Sequence, residues 1–179
     1  MPAIFYQNKV LKCQNTKAVD FLVLQQNRQL WIAVKNFRNY AEESRLRLDP
    51  DENKVPGLTK TREHVKENGW EQKVTVARKQ LFIADEIALK VRDTCAGVFA
   101  ATLNEIVELQ AFSIAVQQKL PVHIVLFLQQ DETLDRAADF RRLAQRIADK
   151  IQQQLIFINL TVEFVNRYTL STDAQWRVA

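Results

Sequence analysis

Two short apolar runs with a polar stretch between them begin the clearest pattern in the chain. Residues 19–24 read VDFLVL and residues 30–37 read LWIAVKNF, separated by the polar segment 25–29. Runs rich in β-branched and aromatic residues on either side of a short polar stretch predict a β-hairpin. Both runs are apolar on both faces, so we expect the hairpin to lie at the centre of a sheet. Residues 4–11 are a weaker candidate for a further strand.

The middle of the chain has helical spacing. A short helix is predicted at 39–48 and a polar helix at 59–68, and the segment 48–57, rich in Asp, Asn, Pro and Gly, predicts a surface loop between them. From about Val74 apolar residues recur with a helical period. A second helical stretch follows the expected break at Gly97.

This second stretch, residues 98–116, is apolar nearly all round, which predicts burial in the domain or at a dimer interface. A buried strand is then expected at 122–128, after Pro121. Thr133 is a candidate N-cap for an amphipathic helix that reaches Leu155. Apolar and polar residues alternate from Ile156 to Phe164, which predicts a last strand near a sheet edge. We expect one α/β domain over residues 1–179, with a mixed sheet, flanking long helices and 48–57 as an insertion.

Composition narrows the class of protein. The chain has 179 residues, a formal net charge of +4, only 3 glycines and 2 cysteines. So few glycines argue against a glycine-rich phosphate loop, and two cysteines argue against a disulfide framework. No signal peptide and no apolar run long enough to span a membrane are seen, which predicts a cytoplasmic protein without membrane contact. The mild basic excess permits contact with nucleic acid but does not require it.

Two charged residues stand inside the apolar runs of the predicted hairpin. Side chains alternate faces along a strand, and a hairpin can therefore bring Asp20 beside Lys35. A carboxylate and an ammonium buried together are costly unless they are paired or bind a metal. Metal-dependent phosphodiester hydrolysis suits this pair, because a carboxylate can hold Mg²⁺ while a lysine orients the attacking water.

The run from Val19 to Phe37 resembles the core of the PD-(D/E)xK nucleases, the restriction-endonuclease-like superfamily. In that pattern an acid begins one strand and an acid-x-Lys triplet lies in the next. Asp20 matches the first acid and Lys35 the lysine, but Ala33 occupies the place of the second acid. The resemblance covers about the first fifty residues and implies a restriction-endonuclease-like fold, action on DNA, and Mg²⁺ if the site is active.

The missing acid leaves two alternatives for the site. A replacement carboxylate comes from the next helix, with Glu42 and Glu43 as the metal-ligand candidates, or the site is catalytically impaired. The basic residues of this region that we expect to contact nucleic acid are Arg45, Arg47, Lys60 and Arg62. A rival hypothesis is a non-enzymatic assembly or regulatory protein that forms a homodimer through the apolar stretch 98–116.

Overall fold

The computed structural model of the protein describes residues 16–132 and 139–170. The side chains of residues 41–43 and 139 are not described, and the predicted strand at 4–11 and the N-cap at Thr133 lie outside the described residues. Four strands and five α-helices are described, and we number them along the chain. The strands are β1 (Phe21–Leu24), β2 (Gln29–Asn36), β3 (Val122–Gln129) and β4 (Leu160–Val165), and the helices are α1 (Ala41–Leu48), α2 (Leu58–Glu67), α3 (Ile83–Leu103), α4 (Gln110–Gln117) and α5 (Asp139–Gln154).

The four strands form one mixed sheet in the order β1-β2-β3-β4. β1 and β2 are antiparallel, as the hairpin prediction requires, whereas β2, β3 and β4 are parallel. The mixed α/β class is therefore confirmed. The central position of the hairpin is wrong, because β1 is an outer strand of the described sheet and only β2 is interior. Phe21 and Val23 of β1 are correspondingly exposed, since they face away from the helices.

The helices cover one face of this sheet. Trp31 and Ala33 of β2 point into the main core, where they join the buried stripes of α3 and α5. Leu30 and Ile32, the alternate residues of β2, belong to a smaller cluster on the opposite face with Val125. The period of two along β2 thus assigns odd-numbered residues, including Lys35, to the helix-covered face.

The structure changes the predicted helix boundaries. Residues 74–82 are not helical, and α3 begins at Ile83. It continues through Gly97, which is buried within it. The break falls instead after Leu103, where Glu105 has a φ of 51° and the Ile106 N–H bonds to the Ala101 carbonyl. This left-handed ending, followed by a short 3₁₀ turn at Val107–Leu109, divides the predicted helix 98–116 between α3 and α4.

The C-terminal prediction is accurate for the helix and less so for the strand. The apolar stripe of α5 is buried as expected, including Ile147, Ile151 and the following Leu155. β4 is an outer strand of the described sheet, but it begins at Leu160 rather than at Ile156, whose side chain is 85% exposed. In the described part of the chain, no helix has the length and apolar character needed to cross a membrane.

Candidate functional site

Five charged side chains meet where the start of β1 and the end of β2 face the first turns of α3. We call Asp20, Lys35, Arg47, Glu86 and Lys90 the charged cluster. Asp20 and Lys35 come from the hairpin, Arg47 from α1, and Glu86 and Lys90 from α3. The predicted sharing of one sheet face by Asp20 and Lys35 agrees with this placement, since both side chains contact α3.

Asp20 has its carboxylate fixed by the strand and by the helix. Its Oδ2 accepts a hydrogen bond of 2.7 Å from the backbone N–H of Val34 on β2. Lys90 Nζ lies 3.0 Å from Oδ1 and 3.1 Å from Oδ2. The Asp20 side chain is 30% exposed and that of Lys90 is 11% exposed. The aspartate is therefore at the boundary of the core, with its charge already balanced by a nearly buried lysine.

Glu86 is the second acid of the cluster, and it binds two cations. Lys35 Nζ donates to Glu86 Oε1, and Arg47 Nη2 donates to Oε2. The Glu86 side chain is only 9% exposed. Burial alone raises the pKa of Glu86, but the hydrogen bond from Lys35 and the positive charges of Lys35 and Arg47 outweigh it, so the pKa lies below its usual value. Glu86 is thus held as a carboxylate.

The pKa of Lys35 is also lowered. Burial is the largest cause, and the nearby positive charges of Lys90 and Arg47 act in the same direction. The hydrogen bond and the charge of Glu86 oppose this shift without cancelling it. A lysine that loses its proton more readily than usual is common at sites that handle protons or phosphate, although ion-pair networks in structural roles produce the same effect.

Arg47 completes the cluster on the side of α1. Its guanidinium lies over the Phe37 ring, with 5.0 Å between the guanidinium carbon and the ring centroid. Its Nε is buried and has no hydrogen-bond partner among the described residues. Arg47 is the one predicted nucleic-acid contact that the structure places in the cluster, and its side chain is 16% exposed.

The other predicted site residues lie apart or are not described. Arg45 and Lys60 are exposed. Arg62 pairs with Glu52 and donates to the Val76 carbonyl, which ties α2 to the segment that follows it. Glu42 and Glu43 are in α1, but their side chains are outside the described atoms.

Glu86 and Lys90 were not identified from the sequence. They are one helical turn apart in the run ADEIALKV, where charges at i and i+4 interrupt an apolar helical stripe. Within a helix this close to the core, two such charges indicate partners on a neighbouring element. That signal was available, but only the structure shows that the partners lie on the hairpin.

The donor set of the cluster does not fit a preformed magnesium site. Carboxylate oxygens are the ligands that Mg²⁺ prefers. However, those of Asp20 and Glu86 are already paired with Lys90, Lys35 and Arg47, and the described residues contain no group of three or more acidic, histidine or cysteine side chains able to hold a metal ion. Both carboxylates are thus already paired with cationic side chains of the protein.

Comparison with known protein families, with curated proteins and with solved structures finds no match.

Proposed function

We propose that the chain is a restriction-endonuclease-like domain that binds DNA through the phosphodiester backbone at the charged cluster and does not cleave it. The observation that carries the proposal is that two carboxylates and three cations share this one place, with Asp20 and Lys35 at the positions that the resemblance marks as functional. When Lys35 is protonated, the cluster has an excess of positive charge.

Unused hydrogen-bond donors support binding to phosphate. A lysine ammonium has three N–H donors, and Lys35 gives one of them to Glu86. The Arg47 side chain beside it is 16% exposed. A phosphate oxygen at this edge would accept from both side chains, and Arg45, exposed on the same short helix, would add a further contact.

Ala33 supports binding without cleavage. In the nucleases that the hairpin resembles, the acid at this place shares the metal with the first aspartate, whereas here a methyl group packs into the core with no exposed surface. Glu86 lies close to Lys35 but is held by two cations, and a metal would have to displace them at a cost of several kcal/mol. We therefore expect phosphate recognition to persist and metal binding to be weak.

DNA binding tests the proposal directly. Fluorescence anisotropy of a labelled duplex would be measured across a range of salt concentrations, with wild type and Arg47→Ala. We expect micromolar binding at low salt, and the variant to lose affinity with a salt slope smaller by about one, since each phosphate contact releases about one counterion. Plasmid incubated with wild type and Mg²⁺ is expected to stay intact.

A matched control removes an arginine far from the cluster. Arg28, exposed in the turn between β1 and β2, lies at the opposite end of the hairpin, and Arg28→Ala is expected to bind as wild type does. If both variants lose affinity equally, binding is a property of the general charge and the cluster is not the site. Metal-dependent cleavage by wild type that is lost in Glu86→Gln would instead show an active site with its acid on α3.

A further inference from the structure

A second concave site lies at the other end of the sheet from the charged cluster. It is a groove of about 490 Å³ between α3, α4 and the segment before β4, and it opens where β2, β3 and β4 begin. Cavities of about 300–1,000 Å³ with a mainly apolar lining are typical of small-molecule sites. Its rim carries Phe99, Val116 and Phe157, which are 65%, 51% and 69% exposed.

Two buried polar groups at the floor of this groove lack partners. Gln29 and Trp31 both line it, and they are only 1% and 2% exposed. Trp31 Nε1 and Gln29 Oε1 have no hydrogen-bond partner among the described residues, while Gln29 Nε2 donates to the Leu120 carbonyl at 3.4 Å. Being two residues apart on β2, the side chains lie on the same face. One unpaired donor and one unpaired acceptor therefore lie on the side of β2 that faces the groove.

Other buried groups of the groove are already satisfied or inert. The hydroxyl oxygens of Thr102 and Ser113 lie 2.8 Å apart, and each is also within hydrogen-bond distance of the backbone carbonyl four residues earlier, so the single proton of each hydroxyl has an acceptor. Burial raises the pKa of the Cys95 thiol to about 11, so it is uncharged near neutral pH and lines the groove as an apolar group. Of the buried polar residues that line the groove, Gln29 and Trp31 are thus the two that retain an unpaired atom among the described residues.

We propose that this groove binds a small aromatic compound with a primary amide. The ring would lie between Phe99 and Phe157, the amide oxygen would accept from Trp31 Nε1, and the amide N–H would donate to Gln29 Oε1. Leaving such groups unpaired in the core is unfavourable, and a ligand that pairs both recovers part of that cost. This inference is independent of the DNA-binding proposal, because it uses none of the charged cluster.

Benzamide is the probe, with toluene as its apolar match. The indole N–H signal of Trp31 would be followed by two-dimensional ¹H–¹⁵N NMR and assigned with Trp70→Phe and Trp176→Phe. We expect benzamide to shift this signal in a saturable manner, and to bind at least about fivefold more tightly than toluene, which corresponds to one net hydrogen bond. Trp31→Phe is expected to remove that preference, with binding then measured by ligand-observed NMR.

Neighbouring exposed residues supply the control. Phe157 lines the groove, whereas Ile156 beside it is more exposed and does not. We expect Phe157→Ser to weaken benzamide binding at least about threefold and Ile156→Ser to leave it unchanged. Equal affinity for benzamide and toluene, or an unmoved Trp31 signal, would overturn the proposal. A wild-type dimer in light scattering that Phe157→Ser dissociates would also overturn it and would assign the groove to a second copy of the chain.

Discussion

Lys90 Nζ lies 3.0 Å from Asp20 Oδ1, although 70 residues separate the two in sequence. The pair joins the start of β1 to the middle of α3, and the second pair of Glu86 with Lys35 joins the same helix to β2. Each acid and each lysine thus has its partner on the other layer of the fold. The charged cluster therefore links the sheet to α3 through two ion pairs, a structural role that does not depend on any ligand.

Removing one partner of the Asp20–Lys90 pair leaves the other in a poorly solvated place. We expect Asp20→Asn to lower the free energy of unfolding by about 1–2 kcal/mol, less than for a fully buried pair because Asp20 retains some exposure. Asn keeps an acceptor for the Val34 N–H, so the loss reports the charge. Urea denaturation of Asp20→Asn, Lys90→Met and the double variant measures the coupling. Additive losses would contradict a direct interaction.

The lowered pKa of Glu86 predicts how stability depends on pH. The group has a usual value of 4.5, and its pKa is lower in the folded state. Its contribution to stability is complete above the usual value and is lost as the pH falls through the folded pKa, because the unfolded chain binds the proton first. The free energy of unfolding of wild type should therefore fall more steeply than that of Glu86→Gln below about pH 5.

Urea denaturation at a series of pH values checks this difference. Asp49, which is partly exposed, also has a lowered pKa, chiefly from a hydrogen bond with Lys54, so Asp49→Asn gives the pH response of an acid outside the charged cluster. Parallel curves for wild type and Glu86→Gln would contradict the assignment.

An acid at position 33 tests whether the missing carboxylate is what separates this site from a nuclease. Ala33 is packed in the main core, so Ala33→Glu is expected to lower the melting temperature in the presence of a chelator. If the fold is nuclease-like, Mn²⁺ should raise the melting temperature of the variant more than that of wild type, because Asp20 and the new acid share the ion. Nicking of supercoiled plasmid should appear with it.

The neutral variant Ala33→Gln separates volume from charge. It has nearly the same size as glutamate and offers no second carboxylate. Equal responses of both variants to Mn²⁺ would show that position 33 does not face a metal site. When Ala33→Glu is combined with Lys35→Ala, the rise in melting temperature with Mn²⁺ should persist, whereas nicking of plasmid should be lost.

The turn after α3 predicts a stabilising substitution. Glu105 is exposed and has a φ of 51°, a conformation that glycine adopts without steric cost. We expect Glu105→Gly to raise the free energy of unfolding by about 0.5–1 kcal/mol, less any entropy gained by the unfolded chain. Ala96→Gly, at an exposed position inside α3, is the control and should destabilise by about 1 kcal/mol. A lower free energy of unfolding in both variants would contradict the role of Glu105 in ending the helix.

The sequence predicted those features that are set by residues close together in the chain. The period of two placed Asp20 and Lys35 toward one face, and the stripe of α5 identified the residues it buries. The end of α3 was not predicted, because neither glycine nor proline marks it and Glu105 takes the left-handed turn. The described sheet continues from β2 to β3 and not beyond β1, and this was not predicted. The pairing of β2 with β3 joins residues about 90 positions apart, which no local pattern contains.

The candidate site shows the same division. Asp20 and Lys35 could be singled out because a charge within an apolar strand is conspicuous. Their partners Lys90 and Glu86 are on a helix that the sequence identified only by its apolar residues, and only the packing of α3 on the hairpin brings them into contact. The acid that pairs with Lys35 is therefore Glu86 on α3 and not a residue at position 33, a relation that no short motif contains.

The charged cluster is assembled from four separate elements of the fold, and this limits when its ion pairs can form during folding. Asp20 and Lys90 can meet only after a loop of about 70 residues has closed, and closing it costs entropy before any ion pair repays it. Ion pairs are weak in water and strengthen only where packing excludes it, so we expect the apolar packing of α3 on the sheet to form first. We therefore expect the ion pairs to be late contacts, and their loss to accelerate unfolding while leaving the folding rate nearly unchanged. The cluster is thus expected to slow unfolding of the native state and to contribute little to the rate at which that state forms.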